Sequence, residues 1–173
     1  MFSQTRHRVE ITTGYPYLAL MMNPPGSPVN ERSRQAEQEG WKTKALFPPN
    51  FTLTYAYRFA PRWEAGGRFN TCGWIYRKSK ESSSSLAYEN RSLTPSLFVR
   101  WNWYAGEKAQ WYSSAGVGMN LLMKPQPGER IAFLTPDLVP VGVHFGHKRL
   151  YGIAELVFGV EGTGLVAGLG FRL

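Results

Sequence analysis

Apolar and polar residues alternate with a period of two along most of the chain, and nowhere more completely than from Leu150 to Leu173. Taking Gly162-Thr163 as a two-residue turn sets Val160 opposite Leu165, Phe158 opposite Ala167, Leu156 opposite Leu169, Ala154 opposite Phe171 and Gly152 opposite Leu173. The other face holds Glu161, Gly159, Val157, Glu155 and Ile153 against Gly164, Val166, Gly168, Gly170 and Arg172. Glycines and charges suit a narrow polar lumen, so the large apolar side chains are expected to point outward. That is the alternation of a transmembrane β-barrel.

The same ladder extends back along the chain. Val139, Val141, Val143 and Phe145 are expected outward, with Pro140, Gly142 and His144 inward. Trp111, Ser113, Ala115, Val117, Met119 and Leu121 face out, against Tyr112, Ser114, Gly116, Gly118 and Asn120. In the preceding strand Leu93, Pro95, Leu97, Val99, Trp101 and Trp103 face out, and Thr94, Ser96, Phe98, Arg100 and Asn102 face in. Two further strands meet at Ala60-Pro61-Arg62. Their outward residues are Phe51, Leu53, Tyr55, Tyr57 and Phe59, then Trp63, Ala65, Gly67 and Phe69; their inward ones are Thr52, Thr54, Ala56 and Arg58, then Glu64, Gly66, Arg68 and Asn70. The first strand, about Arg8 to Leu20, sets Val9, Ile11, Thr13 and Tyr15 outward and Glu10, Thr12 and Gly14 inward. The pattern predicts an all-β fold, an eight-stranded antiparallel up-and-down transmembrane barrel forming a single domain over 1–173.

Connection lengths alternate. Short turns follow the second, fourth and sixth strands, while long segments at about 23–50 and 77–91 read as extracellular loops rich in Pro, Ser and charge. Trp63, Trp101, Trp103, Trp111, Phe145 and Phe171, with Phe59, gather near the short-turn end as a membrane-interface girdle. From Gly152 to Val160 the outward band is nine residues long. At roughly 3.3 Å per residue and a tilt of about 40° it covers roughly 23 Å of bilayer.

Composition narrows the reading. The 43% hydrophobic content comes without a run long enough for a helical span, and mean hydropathy is -0.32. The first residues carry Arg6, Arg8 and Glu10 where a signal-peptide core would lie, so a leader is expected to be absent from this numbering. One Cys and three His argue against a disulfide framework or a zinc site, and no cofactor is expected. The net charge of +8 comes with no nucleic-acid-binding motif; Arg32, Arg34, Lys42, Lys44, Arg77, Lys78, Lys80, Lys124, Arg130, Lys148 and Arg149 fall in predicted loops and turns, where they meet solvent or, on the outer surface, lipopolysaccharide phosphates.

Eight strands leave room for side chains and no open channel. The expected filling is an interior salt-bridge plug of Glu10, Arg58, Glu64, Arg68, Arg100, Glu155 and Arg172. Arg58 should face Glu64 across the ladder, and Glu155 should lie diagonal to Arg172, which closure brings beside Glu10. His144, Glu155 and Ser114 share the interior, as a Ser-His-acid relay would require, but His144 lies at the periplasmic end, away from outer-leaflet lipid A. It is read as a hydrogen-bonding interior residue. His7 and His147 are assigned to the N-terminal tail and a periplasmic turn.

The stretches 51–59, 63–67, 93–101, 112–118 and 168–173 resemble the small outer-membrane β-barrel proteins of Bacteroidota, with barrels like those of OmpA and OmpX. The resemblance implies an outer-membrane address in a Gram-negative bacterium and a periplasmic N-terminus. It also implies insertion by the β-barrel assembly machinery, which reads a terminal strand such as Gly168–Leu173. It implies no single activity. The expected function is that of a non-enzymatic structural or accessory subunit in contact with other outer-membrane proteins. The competing readings are a lipid A-modifying enzyme and a soluble lipocalin-like carrier.

Overall fold

The structure is a computed structural model that describes residues 6–14, 42–46, 50–79, 86–106, 108–123, 130–146, 149–159 and 162–173. Their regular elements are strands: β1 (His7–Gly14), β2 (Lys42–Leu46), β3 (Asn50–Ala60), β4 (Trp63–Ser79), β5 (Leu86–Ala105), β6 (Ala109–Met123), β7 (Arg130–Phe145), β8 (Leu150–Gly159) and β9 (Gly162–Arg172). Every pairing is antiparallel, in the order β2-β4-β3-β1-β9-β8-β7-β6-β5, and β4 also pairs with β5. That last ladder closes the sheet. Eight strands, β1 and β3 to β9, therefore form a closed barrel, while β2 adds to the far end of β4 through Lys42↔Ser79 to Leu46↔Ile75.

The barrel wall is inverted relative to a water-soluble core. Leu97, Leu134 and Leu165 are 71%, 76% and 75% exposed, whereas Arg100 and Glu64 are fully buried at 0%. Burial here is mostly polar, and the buried apolar side chains among the described residues are Ala56, Phe98, Tyr112, Val139, Tyr151 and Ile153. The period-two alternation puts them there: Arg8, Glu10 and Thr12 on β1 are buried, while Ile11 between them is exposed.

Three features differ from the sequence expectation. The β8–β9 register runs Gly159↔Gly162, Leu156↔Leu165 and Ala154↔Ala167, so Gly162 and Thr163 are paired strand residues and the chain reverses before them. A shift by an even number of residues leaves every side chain on its own face, which is why alternation alone could not detect it. Val139 is inward, fully buried, and Pro140 outward, because the β7–β8 ladder is interrupted between Leu138 and Val141. Pro140 has no N–H to give the ladder, and a bulge is where such a residue is tolerated. Finally, both expected loops contain strand: β2 lies within 23–50, and β4 and β5 pair out to Lys78↔Leu86 within 77–91. The remainder of those two segments, at 23–41, 47–49 and 80–85, lies outside the described residues, as do 15–20 of the expected first strand and His147.

Candidate functional site

Every strand of the barrel sends at least one side chain into a network that fills the lumen toward the short-turn end. Its centre is Arg100 on β5, whose two terminal nitrogens donate to the two carboxylate oxygens of Glu10 on β1 at 2.9 and 2.8 Å. This two-pronged pairing uses the planar fork of the guanidinium. The same group lies 3.3 Å from Glu64 and 3.6 Å from Glu155, with its central carbon 4.2 Å from the centre of the Tyr112 ring. Arg58 faces Glu64 across the β3–β4 ladder and donates to it at 2.7 and 3.0 Å.

A second tier lies nearer the long connections. Arg68 on β4 donates to Asp137 at 2.8 Å, to Glu155 at 3.2 Å and to Ser114 at 3.3 Å; Ser96 donates to Asp137 at 2.7 Å, and Tyr112 to Glu155 at 2.7 Å. Beside it is a small open recess of about 60 Å³ whose lining includes Thr12, Asn50, Thr94, Arg68, Asp137 and Glu155. A continuous water path below this recess would expose the side chains it passed. Arg100, Glu64 and Tyr112 are instead wholly inaccessible.

Several members were not anticipated. Arg8 pairs with Glu64 at 3.2 Å, donates to Gln110 at 2.9 Å and contacts His144 Nδ1 at 3.0 Å. Tyr151 donates to Glu10 at 2.8 Å. Both were within reach of the alternation, being two positions before Glu10 and four before Glu155 on the same faces. Asp137 was not, because the bulge at Val139-Pro140 reverses the facing on its N-terminal side. Tyr104, exposed on the outer wall, was missed for a similar reason: the β5–β6 register shifts between Asn102 and Tyr104.

Arg172 corrects a further expectation. With Glu155 opposite Val166 rather than a residue nearer the end of β9, Glu155 is taken up by Arg68, Arg100 and Tyr112. Arg172 lies opposite Arg8, with its guanidinium carbon 4.7 Å from the centre of the Tyr151 ring. His7 opens β1 instead of belonging to a tail, and its Nδ1 is 2.6 Å from the Tyr55 hydroxyl on the outer wall.

The candidate relay is not assembled. His144 Nε2 lies 3.2 Å from Glu10 and its Nδ1 faces an Arg8 donor, an arrangement that calls for the Nε2–H tautomer, while Ser114 is engaged by Arg68. No hydrogen bond joins Ser114 to His144 among the described residues. The described residues also contain no group of three His, Cys, Asp or Glu side chains able to hold a metal ion. On the outer wall at the short-turn end stand Phe59, Trp63, Trp101, Trp103, Trp111, Phe145 and Phe171, all exposed, with Trp63 and Trp101 stacked at 6.3 Å.

The chain matches no protein-family model and no curated protein sequence. Among solved structures it is similar to Ail, the attachment invasion locus protein of Yersinia pestis, crystallised in complex with the heparin analogue sucrose octasulfate. The TM-score is 0.45 at 16% identity, over 97% of this chain and 99% of that one.

Two glycines make room for the tyrosines of the network. A Cβ on Gly170 would lie 2.3 Å from the Tyr151 ring, and one on Gly142 would lie 2.4 Å from the Tyr112 ring. Gly170→Val is therefore expected to displace the Tyr151 hydroxyl from Glu10, costing about 1–3 kcal/mol for the strain and the lost partner. Urea titration of the folded barrel in lipid vesicles measures this, and adding Tyr151→Phe on the same background should cost little more.

Proposed function

We propose that this protein is an integral outer-membrane β-barrel of a Gram-negative envelope, non-enzymatic, acting as a structural or accessory subunit beside other outer-membrane proteins. The observation that carries the reading is the inverted wall: large apolar side chains face out all round a barrel whose lumen is filled with paired charges. A lipocalin-like carrier needs the opposite arrangement, an apolar lumen within a polar wall. The plug formed by Glu10, Arg58, Glu64, Arg68, Arg100 and Glu155, joined by Arg8 and Asp137, leaves the barrel rigid and closed to solutes. The exposed aromatics Trp63, Trp101, Trp103, Trp111, Phe145 and Phe171 supply the interfacial girdle.

A barrel too narrow to conduct, and without an assembled relay, has its lipid-facing wall and outer segments left for recognition. The backbone pairing of β2 with β4 runs from Lys42↔Ser79 to Leu46↔Ile75, and this stretch of sequence carries Lys42, Lys44, Arg77 and Lys78, residue types that suit the phosphates of lipopolysaccharide. Assembly-machinery recognition of Gly168–Leu173 and membership among Bacteroidota barrels are consistent with the same reading. Tagged protein extracted from outer membranes in mild detergent is expected to migrate as a hetero-complex in native gels and to bring a second outer-membrane protein with it. Recovery of the barrel alone across several detergents would exclude the subunit role. Lipid A acylation, read by mass spectrometry with and without the gene, is expected to be unchanged.

A further inference from the structure

The short-turn end of the barrel carries a regularity that neither the plug nor the wall explains. Four backbone hydrogen bonds tie each turn or terminus there to a neighbouring element: Arg58 N to Arg6 O at 2.7 Å, Asn102 N to Arg62 O at 2.8 Å, Gly146 N to Lys108 O at 3.0 Å, and Arg172 N to Arg149 O at 2.8 Å. The accepting carbonyl in every case belongs to a basic residue. A fifth bond, Leu173 N to His7 O at 3.0 Å, closes the circle. Arg6, Arg62, Lys108 and Arg149 are all exposed. The backbone of the rim is thus held at four residues that each carry an exposed cationic side chain, spaced from turn to turn, and the one acid in the turn sequences, Glu107, lies outside the described residues.

Resting on the membrane reading above, we propose that this rim is a collar for anionic glycerophospholipid headgroups of the leaflet it meets. A protein partner docks on one side and would need a one-sided patch, whereas lipid surrounds a barrel. The exposed tryptophans Trp63, Trp101, Trp103 and Trp111 lie beside the collar on the outer wall, the level at which an aromatic belt meets headgroups. Three of the four cations are guanidiniums, whose fork matches two phosphate oxygens, and Lys108 adds a point charge.

Four of the six tryptophans lie beside the collar, and with Trp41→Phe and Trp74→Phe as the background of every variant they alone report on it. The full chain is refolded into phosphatidylcholine bilayers containing phosphatidylglycerol, with bromine on the acyl chains of one lipid or the other, and quenching of tryptophan fluorescence gives the relative affinity. Phosphatidylglycerol is expected to be preferred by about threefold or more. The preference should fall to parity at about 1 M salt, where the Debye length is about 3 Å. It should also vanish in the Arg62→Gln, Lys108→Gln, Arg149→Gln variant and survive in Lys44→Gln, Arg77→Gln, Lys78→Gln, with a heat-modifiable gel band showing that each is folded. Parity in the unmodified barrel, or a preference retained by the rim variant, overturns the collar. So does parity accompanied by tight binding of polyglutamate from the aqueous phase, which would point to an acidic macromolecule. A barrel that inserts into neither bilayer defeats the membrane reading as well, whereas one that inserts into both at parity defeats the collar alone.

Discussion

Replacing Arg100 with leucine is expected to destabilise the folded barrel by about 3–5 kcal/mol, because it strips the partner from a carboxylate that stays buried. Glu10 is 1% exposed and would keep only the Tyr151 hydroxyl and His144 in place of a two-pronged guanidinium. Glu64 and Glu155 would each lose a cation at the same time. Urea-driven unfolding in vesicles, followed by the shift of the heat-modifiable band, measures the loss. Adding Glu10→Gln to Arg100→Leu should recover part of it, so that the double variant costs less than the sum of the singles. Arg58→Leu should cost less than Arg100→Leu, since Arg58 sits at the edge of the network and Glu64 retains both Arg8 and Arg100. A loss within about 0.5 kcal/mol for Arg100→Leu, the range of an ordinary surface substitution, or strict additivity with Glu10→Gln, would show that the Arg100–Glu10 pairing does not bear on stability.

How much of this was legible in the sequence depended on which physical rule was at work. Period-two alternation is a local steric property of a strand, and it sorted the faces over 51–59, 63–70, 93–103 and 111–121, including Arg58, Glu64, Arg68 and Arg100 inward. It carries no information about register beyond odd or even, so the β8–β9 pairing was offset and the Glu155–Arg172 contact misplaced. A bulge breaks the rule itself, as at Val139-Pro140, where Asp137 was hidden from view. Nor does facing inward say which side chain is met across the lumen: Arg100 reaches Glu10 and Arg8 reaches Gln110 through closure of the sheet, not through neighbouring strands. The extended ladder of β4 with β5 escaped notice because its Ser-rich, charged surroundings read as loop, although backbone pairing continues to Lys78↔Leu86.

Substituting arginine for Leu97 distinguishes a lipid-facing wall from a wetted one. Leu97 is 71% exposed, lies well inside β5 between Gly67 and Val117, and touches nothing in the lumen network. In water such a change on an exposed strand face would stay within about 0.5 kcal/mol. In a bilayer the same arginine near the midplane costs about 2–4 kcal/mol, falling to about 0–1 kcal/mol near the interface. Leu150 supplies the matched control, being 59% exposed but placed at the short-turn end. Leu97→Arg is therefore expected to lose several-fold more stability than Leu150→Arg in vesicles. The two substitutions introduce the same side chain at similar exposure, so intrinsic strand propensity and lost apolar contact largely cancel between them, leaving depth in hydrocarbon as the variable. Equal and small losses at both positions would mean that the exposed leucines meet water, and an outer-membrane wall would then be the wrong account of them.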